Sequence, residues 1–483
     1  MPLRAADALP PVALRRRAWP IPAGVLLGVV IVSSILGWGY AALGLSIVIA
    51  LFLPSRFVFG LGVVWLMSPV SRNGNTTQSS VAVLAFIVCL AVTLQRERAL
   101  SRRPMLPTAV NRAQLVLLIV ILCYALIGLL ARHSTRLILW DVQPFLEFAA
   151  FAILGSFVLR SEDDVANVFW IVALGAIAKA GLDLYIFLGA FKSGHGADLN
   201  YYIQDRIFDA APVLVLPIIL FVALQSDIPR WRDAVIKRGP LLSTLLLFGG
   251  AAIIVASLAL SFTRTFWLGL ALGVPIAAAL ARGRILRRIV VAGAVITILV
   301  AGAAIAQPQG VVGRWITLSE QRIQYTVTQI QAPSDSFQAR RQDEITSAYP
   351  AIAQSHFLGR GAGASIPLSI PTVFAQEQLT GIVPYLHNYY VQAALNFGVP
   401  GLAALAWLTF VVATNLVRRV TQATGFEQAL VAGILAAWVI EAVQLATLST
   451  PVMFHTAALM GALTALGLGR QAIGTSKAPE LSA

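Results

Sequence analysis

The feature that most constrains this chain is a succession of apolar runs of about bilayer length, separated by short segments that carry most of the Arg and Lys. They fall at approximately 21–37, 39–54, 56–70, 80–95, 113–131, 142–159, 165–190, 207–225, 241–260, 265–281, 287–306, 399–417, 425–446 and 451–469. In the hydrocarbon layer a backbone must satisfy its own hydrogen bonds, so runs of this length read as helices. The 483 residues are 58% hydrophobic and 12% charged, with a mean hydropathy of +0.80, more apolar surface than a soluble core can hide. The expectation is an all-α polytopic membrane protein, a bundle of about 12–14 transmembrane helices with a large, partly helical extracytoplasmic loop. A formal charge of +14 does not imply a nucleic-acid partner, because the basic residues cluster between apolar runs and not on one aromatic-interleaved face. Cys89 and Cys123 both lie inside apolar runs, so neither a disulfide framework nor a thiolate metal site is implied. The first run follows Arg15-Arg16-Arg17 and reads as a retained first helix, not a cleaved leader.

Basic residues set the orientation. With the N-terminus in the cytoplasm, the inside segments collect Arg15 to Arg17, the cluster from Arg96 to Arg112, Arg230 to Arg238, Arg282 to Arg288, Arg418-Arg419 and Arg470. Roughly twenty-three Lys and Arg then fall inside and about six in short outside loops, as the positive-inside rule requires. The chain divides into a cytoplasmic tail 1–20, N-terminal spans 21–306, an extracytoplasmic segment 307–398, C-terminal spans 399–469 and a cytoplasmic tail 470–483. The expected arrangement is multi-pass in the membrane, with both termini cytoplasmic.

Segment 307–398 is too long for a mere connection and too rich in helix formers for a disordered tail. Phe337, Arg341, Ile345, Ala348 and Ile352 recur at helical spacing, which predicts a helix lying on the bundle with Gln342, Asp343 and Glu344 towards water. Gly359-Arg360-Gly361-Ala362-Gly363 ends it, and suits either a phosphate-binding nest or a flexible hinge. The segment closes on Pro384-Tyr385-Leu386-His387-Asn388-Tyr389-Tyr390, which delivers a His-Asn pair where an apolar helix re-enters the bilayer. Polar chemistry at a membrane surface is one reading of that pair, and capping of the helix is the other. Arg264, in Ser261-Phe262-Thr263-Arg264-Thr265-Phe266-Trp267, has almost no loop to retreat into. It either snorkels to the headgroups beside Trp267 or grips a phosphorylated lipid headgroup through its planar fork.

Taken together these segments resemble a known family. A Ser-x-x-Arg-x-x-Trp-Leu segment opens a helix at Arg264, Arg341 precedes Gly359-x-Gly361, and His387-Asn388-x-Tyr390 precedes Gly398-x-x-Gly401. Their order and sidedness look like the O-antigen ligase and polymerase superfamily of bacterial membrane glycosyltransferases, over about 258–405. The chain departs from the family pattern at Ile345, where an aromatic residue is common, and at His356, where a proline is common, so the register of Arg340 against Arg341 stays open.

The resemblance implies transfer of a glycan from an undecaprenyl-diphosphate carrier to an acceptor hydroxyl on the outer face, without cofactor, nucleotide sugar or metal. The acceptor is a growing glycan or lipid A core, and other polysaccharide-assembly proteins are candidate partners. It further implies that Arg264 with Arg341 or Arg340 holds the diphosphate, that His387 is the general base, and that Asn388, Arg206 and Tyr390 are further substrate contacts. Histidine suits the base because its ordinary pKa lies near neutrality. Glu344 and Glu377 are next in line, and His356, His455, His133 and His195 rank lower, the last two as solvated loop residues.

Two rivals come from other classes. A transporter or flippase makes natural use of intramembrane charges such as Lys179, Asp183 and Glu441, although Lys179 and Asp183 sit one turn apart and read as a mutual ion pair, and Glu147 and Glu441 are candidates for bundle structure. A structural subunit of an export complex needs the helices but not His387 and Arg264.

Overall fold

The computed structural model describes residues 53–67, 76–97, 106–192, 210–225, 240–261, 264–281, 286–291, 336–367, 382–383, 386–446 and 450–469, with a few isolated positions between 293 and 324. The chain is an all-α polytopic membrane protein. Its long helices are α1 (Ser55–Met67), α2 (Thr76–Arg96), α3 (Thr108–Leu130), α4 (Thr135–Val158), α5 (Glu162–Lys192), α6 (Ala210–Ala223), α7 (Pro240–Ser261), α8 (Arg264–Ala281), α9 (Ser336–Gln354), α10 (Tyr389–Gln422), α11 (Gly425–Leu445) and α12 (Thr450–Leu468). Among the described residues six helices are long and apolar enough to cross a membrane, and five apolar helices are shorter. The first apolar run, all but the last two residues of the second, and half of 287–306 lie outside the described residues.

Local chemistry explains several boundaries. At the start of α5, the Asp164 backbone N–H donates to Ser161 Oγ and the Ser161 N–H donates back to the Asp164 carboxylate, each at 3.1 Å, while Glu162, Asp163 and Asp164 put negative charge on the helix N-terminus. α10 contains a break: Gly398, at φ 59° and ψ −162°, separates a short segment Tyr389–Phe397 from the long helix that Pro400 opens. The bundle packs α4 on α12, α11 on α6 and α8, α10 on α3, and α1 on α5. Small residues bring these helices close, as they do where no hydrophobic drive separates helix from lipid. A methyl group on Gly461 of α12 would collide with the Phe148 carbonyl of α4, and one on Gly433 of α11 with the backbone of Ile218 in α6.

α9 lies apart from this bundle, over one end of it. Ala348, Ile352, Ile366, Leu386 and Leu395 form a second, smaller apolar cluster that joins α9 to the start of α10. A two-residue antiparallel ladder, β1 (Ile366–Pro367) with β2 (Ile382–Val383), closes the connection by pairing Ile366 with Val383, an element the helical periodicity did not announce.

Candidate functional site

His387 stands at the approach to α10, on a turn held from both sides. The Leu386 N–H donates to Gln392 Oε1 at 2.9 Å, and Asn388 caps the helix by accepting from the Val391 N–H at 3.1 Å. Beneath the turn lies Glu344 of α9. Its Oε2 accepts the His387 backbone N–H at 2.8 Å, and its Oε1 faces His387 Nδ1 at 2.8 Å. Glu344 is 2% exposed and His387 9%. This corrects the phase read from the sequence: Glu344 faces the interior, whereas Ile345 is 49% exposed and turns away from the bundle. The helix is rotated because Glu344, Ala348, Ala351 and Ile352 form the inner face, and the carboxylate satisfies two donors there. The phase of Ile345 misled because one apolar residue weighed more than a charged one whose partner is 43 residues away.

The glycine loop is neither an open nest nor a hinge. Arg360 and Gly361 donate their N–H groups to Leu395 and Asn396 carbonyls at 2.8 and 3.0 Å, and Ala362 donates to the Tyr124 carbonyl of α3 at 2.9 Å. Tyr124 returns its hydroxyl to the Leu358 carbonyl. His133 Nδ1 meets the Ala362 carbonyl at 2.9 Å, so His133 is tied to the loop and not simply solvated. Asp141 of α4 receives the Gly363 N–H and Asn396 Nδ2, both at 2.6 Å. Gly361, at φ 94°, leaves no space for a side chain because a Cβ would lie 2.7 Å from the Gly128 nitrogen. The loop NH groups are spent on the protein, which leaves anion binding to side chains.

Of the remaining candidates, the backbones of Arg264, Arg340 and Arg341 fall around this end of the bundle. Gly269 and Gly273 of α8 lie against Ile440 and Ala436 of α11, an antiparallel register that puts the Arg264 backbone level with the last turn of α11. That is the end where the Tyr390 hydroxyl donates to the Ala442 carbonyl at 3.0 Å. Arg340 and Arg341 belong to α9, one turn before Glu344. The side chains of Arg264, Arg340, Arg341 and His455, and the whole of Arg206, His195 and Glu377, lie outside the described residues. His356 is exposed, at φ 51° in the turn after α9.

Tyr390 also lines a small apolar groove, walled by Leu117, Phe148, Leu405 and Trp438, with Glu441 on its side. Glu441 accepts from Thr456 Oγ1 at 2.8 Å, Glu147 from Gln143 Nε2 at 2.5 Å, and Lys179 pairs with Asp183 as their spacing predicts. Among the described residues no group of three or more His, Cys, Asp or Glu side chains is arranged to hold a metal.

Residues 249–406 match the family model described as O-antigen ligase, a range that runs from within α7 to just past the Gly398 break and takes in Arg264, Arg341, Glu344 and His387. No curated protein matches the chain. Over residues 249–406, and on a helical membrane scaffold, the chain is similar to the O-antigen ligase family.

Proposed function

We propose that the protein transfers a glycan from an undecaprenyl-diphosphate carrier to an acceptor hydroxyl at the extracytoplasmic face of the inner membrane, with His387 as general base. The observation that carries this reading is a buried imidazole, braced by a carboxylate, at the mouth of a membrane helix inside the O-antigen ligase match. Both oxygens of Glu344 accept hydrogen bonds, so Nδ1 carries the ring proton and Nε2 is the acceptor nitrogen. As the acceptor oxygen attacks the anomeric carbon, its proton passes to Nε2 and the bond from that carbon to the diphosphate breaks. The carrier leaves as its diphosphate and the centre inverts. Arg264 and Arg341, or Arg340 in place of the latter, stabilise the charge that builds on the leaving group. The groove beside Tyr390 has the apolar walls an isoprenoid chain requires. Elongation of a growing glycan, as in a polymerase or in exopolysaccharide polymerisation, is the slightly favoured use, with ligation to lipid A core close behind.

Purified protein incubated with a lipid-linked oligosaccharide provides the test. Parent protein lengthens or transfers the glycan, and His387→Gln, which keeps hydrogen bonding without basicity, inserts normally and loses transfer. His356→Ala and His455→Ala keep most of it. Turnover by His387→Gln at close to the parent rate overturns the base assignment, and a chain that moves the donor across a vesicle without covalent change is a transporter.

A further inference from the structure

We infer that Glu344 is a positioning residue for His387, holding Nδ1 as donor and Nε2 as acceptor and balancing the charge of the ring when it takes a proton. The inference rests on the general-base reading above and adds a second residue to it. Three observations converge on Glu344. Its carboxylate is bidentate, gripping the backbone N–H and the ring of the same residue, so it sets both the turn and the imidazole orientation. It is almost fully buried in a small apolar cluster formed by Ala348, Ile352, Leu386 and their neighbours. A carboxylate in such a place costs more in desolvation than an apolar side chain of the same size, so stability alone does not account for it. It also comes from a different element, α9, across 43 residues of sequence. Docking of α9 therefore assembles the base, and the Ala348 and Ile352 contacts of α9 are a condition for the orientation of the ring.

The chemistry follows from the pairing. An imidazole has two tautomers, and a carboxylate at Nδ1 selects the one in which Nε2 carries the lone pair. When Nε2 gains a proton the ring becomes cationic beside an anion already in place, with no reorganisation at the moment of reaction. A glutamine at 344 keeps the volume and one acceptor oxygen, but its amide lacks the charge that would balance a protonated ring. An aspartate keeps the charge on a stem one methylene shorter, which cannot span both the backbone N–H and Nδ1.

Steady-state transfer is measured in detergent for Glu344→Gln, Glu344→Asp, His387→Gln and the Glu344→Gln/His387→Gln double variant of the full chain. Glu344→Gln should lower kcat on the order of 100-fold while KM for the donor stays within about threefold, and Glu344→Asp should lower kcat about 10-fold. In the His387→Gln background, Glu344→Gln should change the residual rate by less than about twofold, because it acts through the ring alone. A purely structural Glu344 would instead impose its loss in both backgrounds. Parent kcat in Glu344→Gln, or an equal loss with and without His387, overturns the positioning role. If Glu344→Gln fails to insert, Glu344→Asp decides: a reduced kcat with unchanged KM supports the role and a parent kcat overturns it. Transfer at the parent rate by His387→Gln sinks the general-base reading itself, a result distinct from any of these.

Discussion

Asp141 shows how much one buried side chain can organise. A single carboxylate oxygen receives the Gly363 N–H from the loop and the Asn396 amide from α10, so three separated parts of the chain meet at one atom. Asp141→Ala leaves both donors buried without that acceptor, and each such orphan costs about 1–3 kcal/mol. The thermal unfolding midpoint in detergent should fall by several degrees, and Asp141→Asn, whose amide oxygen can take the place of that one carboxylate oxygen, should fall less. Arg264 is proposed to act in the reaction rather than in the scaffold. If it holds the leaving diphosphate, Arg264→Ala should lose about 2–4 kcal/mol of transition-state stabilisation, a rate drop of roughly a hundredfold to a thousandfold. Arg264→Lys should recover part of that, since Lys keeps the charge without the bidentate fork. Near-normal transfer by folded Arg264→Ala returns the residue to a headgroup anchor. The Glu344 partnership was illegible from the sequence for the same reason that makes it informative: a charge faces inward only when its partner is there, and that partner lies far along the chain.

At the scale of elements, the helices were legible because hydrocarbon leaves a backbone few alternatives, and the break within α10 falls at Gly398, directly before the apolar run expected at 399–417. The Gly359–Gly363 loop was not, since its fate depended on acceptors in α3 and α4 that no local pattern names. Gly398 sits where Val399 donates to the Phe357 carbonyl at 2.8 Å, and a Cβ there would strike the Leu358 carbonyl carbon. Gly398→Ala combines that clash with a positive φ, unfavourable by about 1 kcal/mol for an L-residue before the clash is counted. Fluorescence-detected size exclusion should report a sharp loss of monodisperse protein, whereas Gly249→Ala, which meets nothing within 4 Å, should leave the profile unchanged.

For the whole molecule, the contact of His133 with Ala362 fixes a relation that orientation experiments can use. The α3–α4 connection and the glycine loop lie at the same end of the bundle, so a cysteine at Arg132 and one at Gln331 should both react with an impermeant thiol reagent added from outside. Cys123 is exposed and should be replaced first. Labelling of either site from the cytoplasm would overturn the proposed extracytoplasmic position of 307–398 and the active-site arrangement with it. Reporters at the two termini should read cytoplasmic, in line with the basic clusters beside the first and last apolar runs.

The fastening of the glycine loop to Tyr124, His133 and Asp141 has a consequence for modularity. The family match begins at residue 249, yet three of the residues that hold its loop come from α3, α4 and the link between them, and Trp438 and Glu441, which wall the groove beside Tyr390, follow its end. The inherited unit and the mechanical unit therefore do not coincide. A chimaera that exchanged only 249–406 with a relative would set the proposed base and arginines against an unmatched cradle, and transplanting the proposed activity should require 108–158 and the C-terminal helices to travel with it.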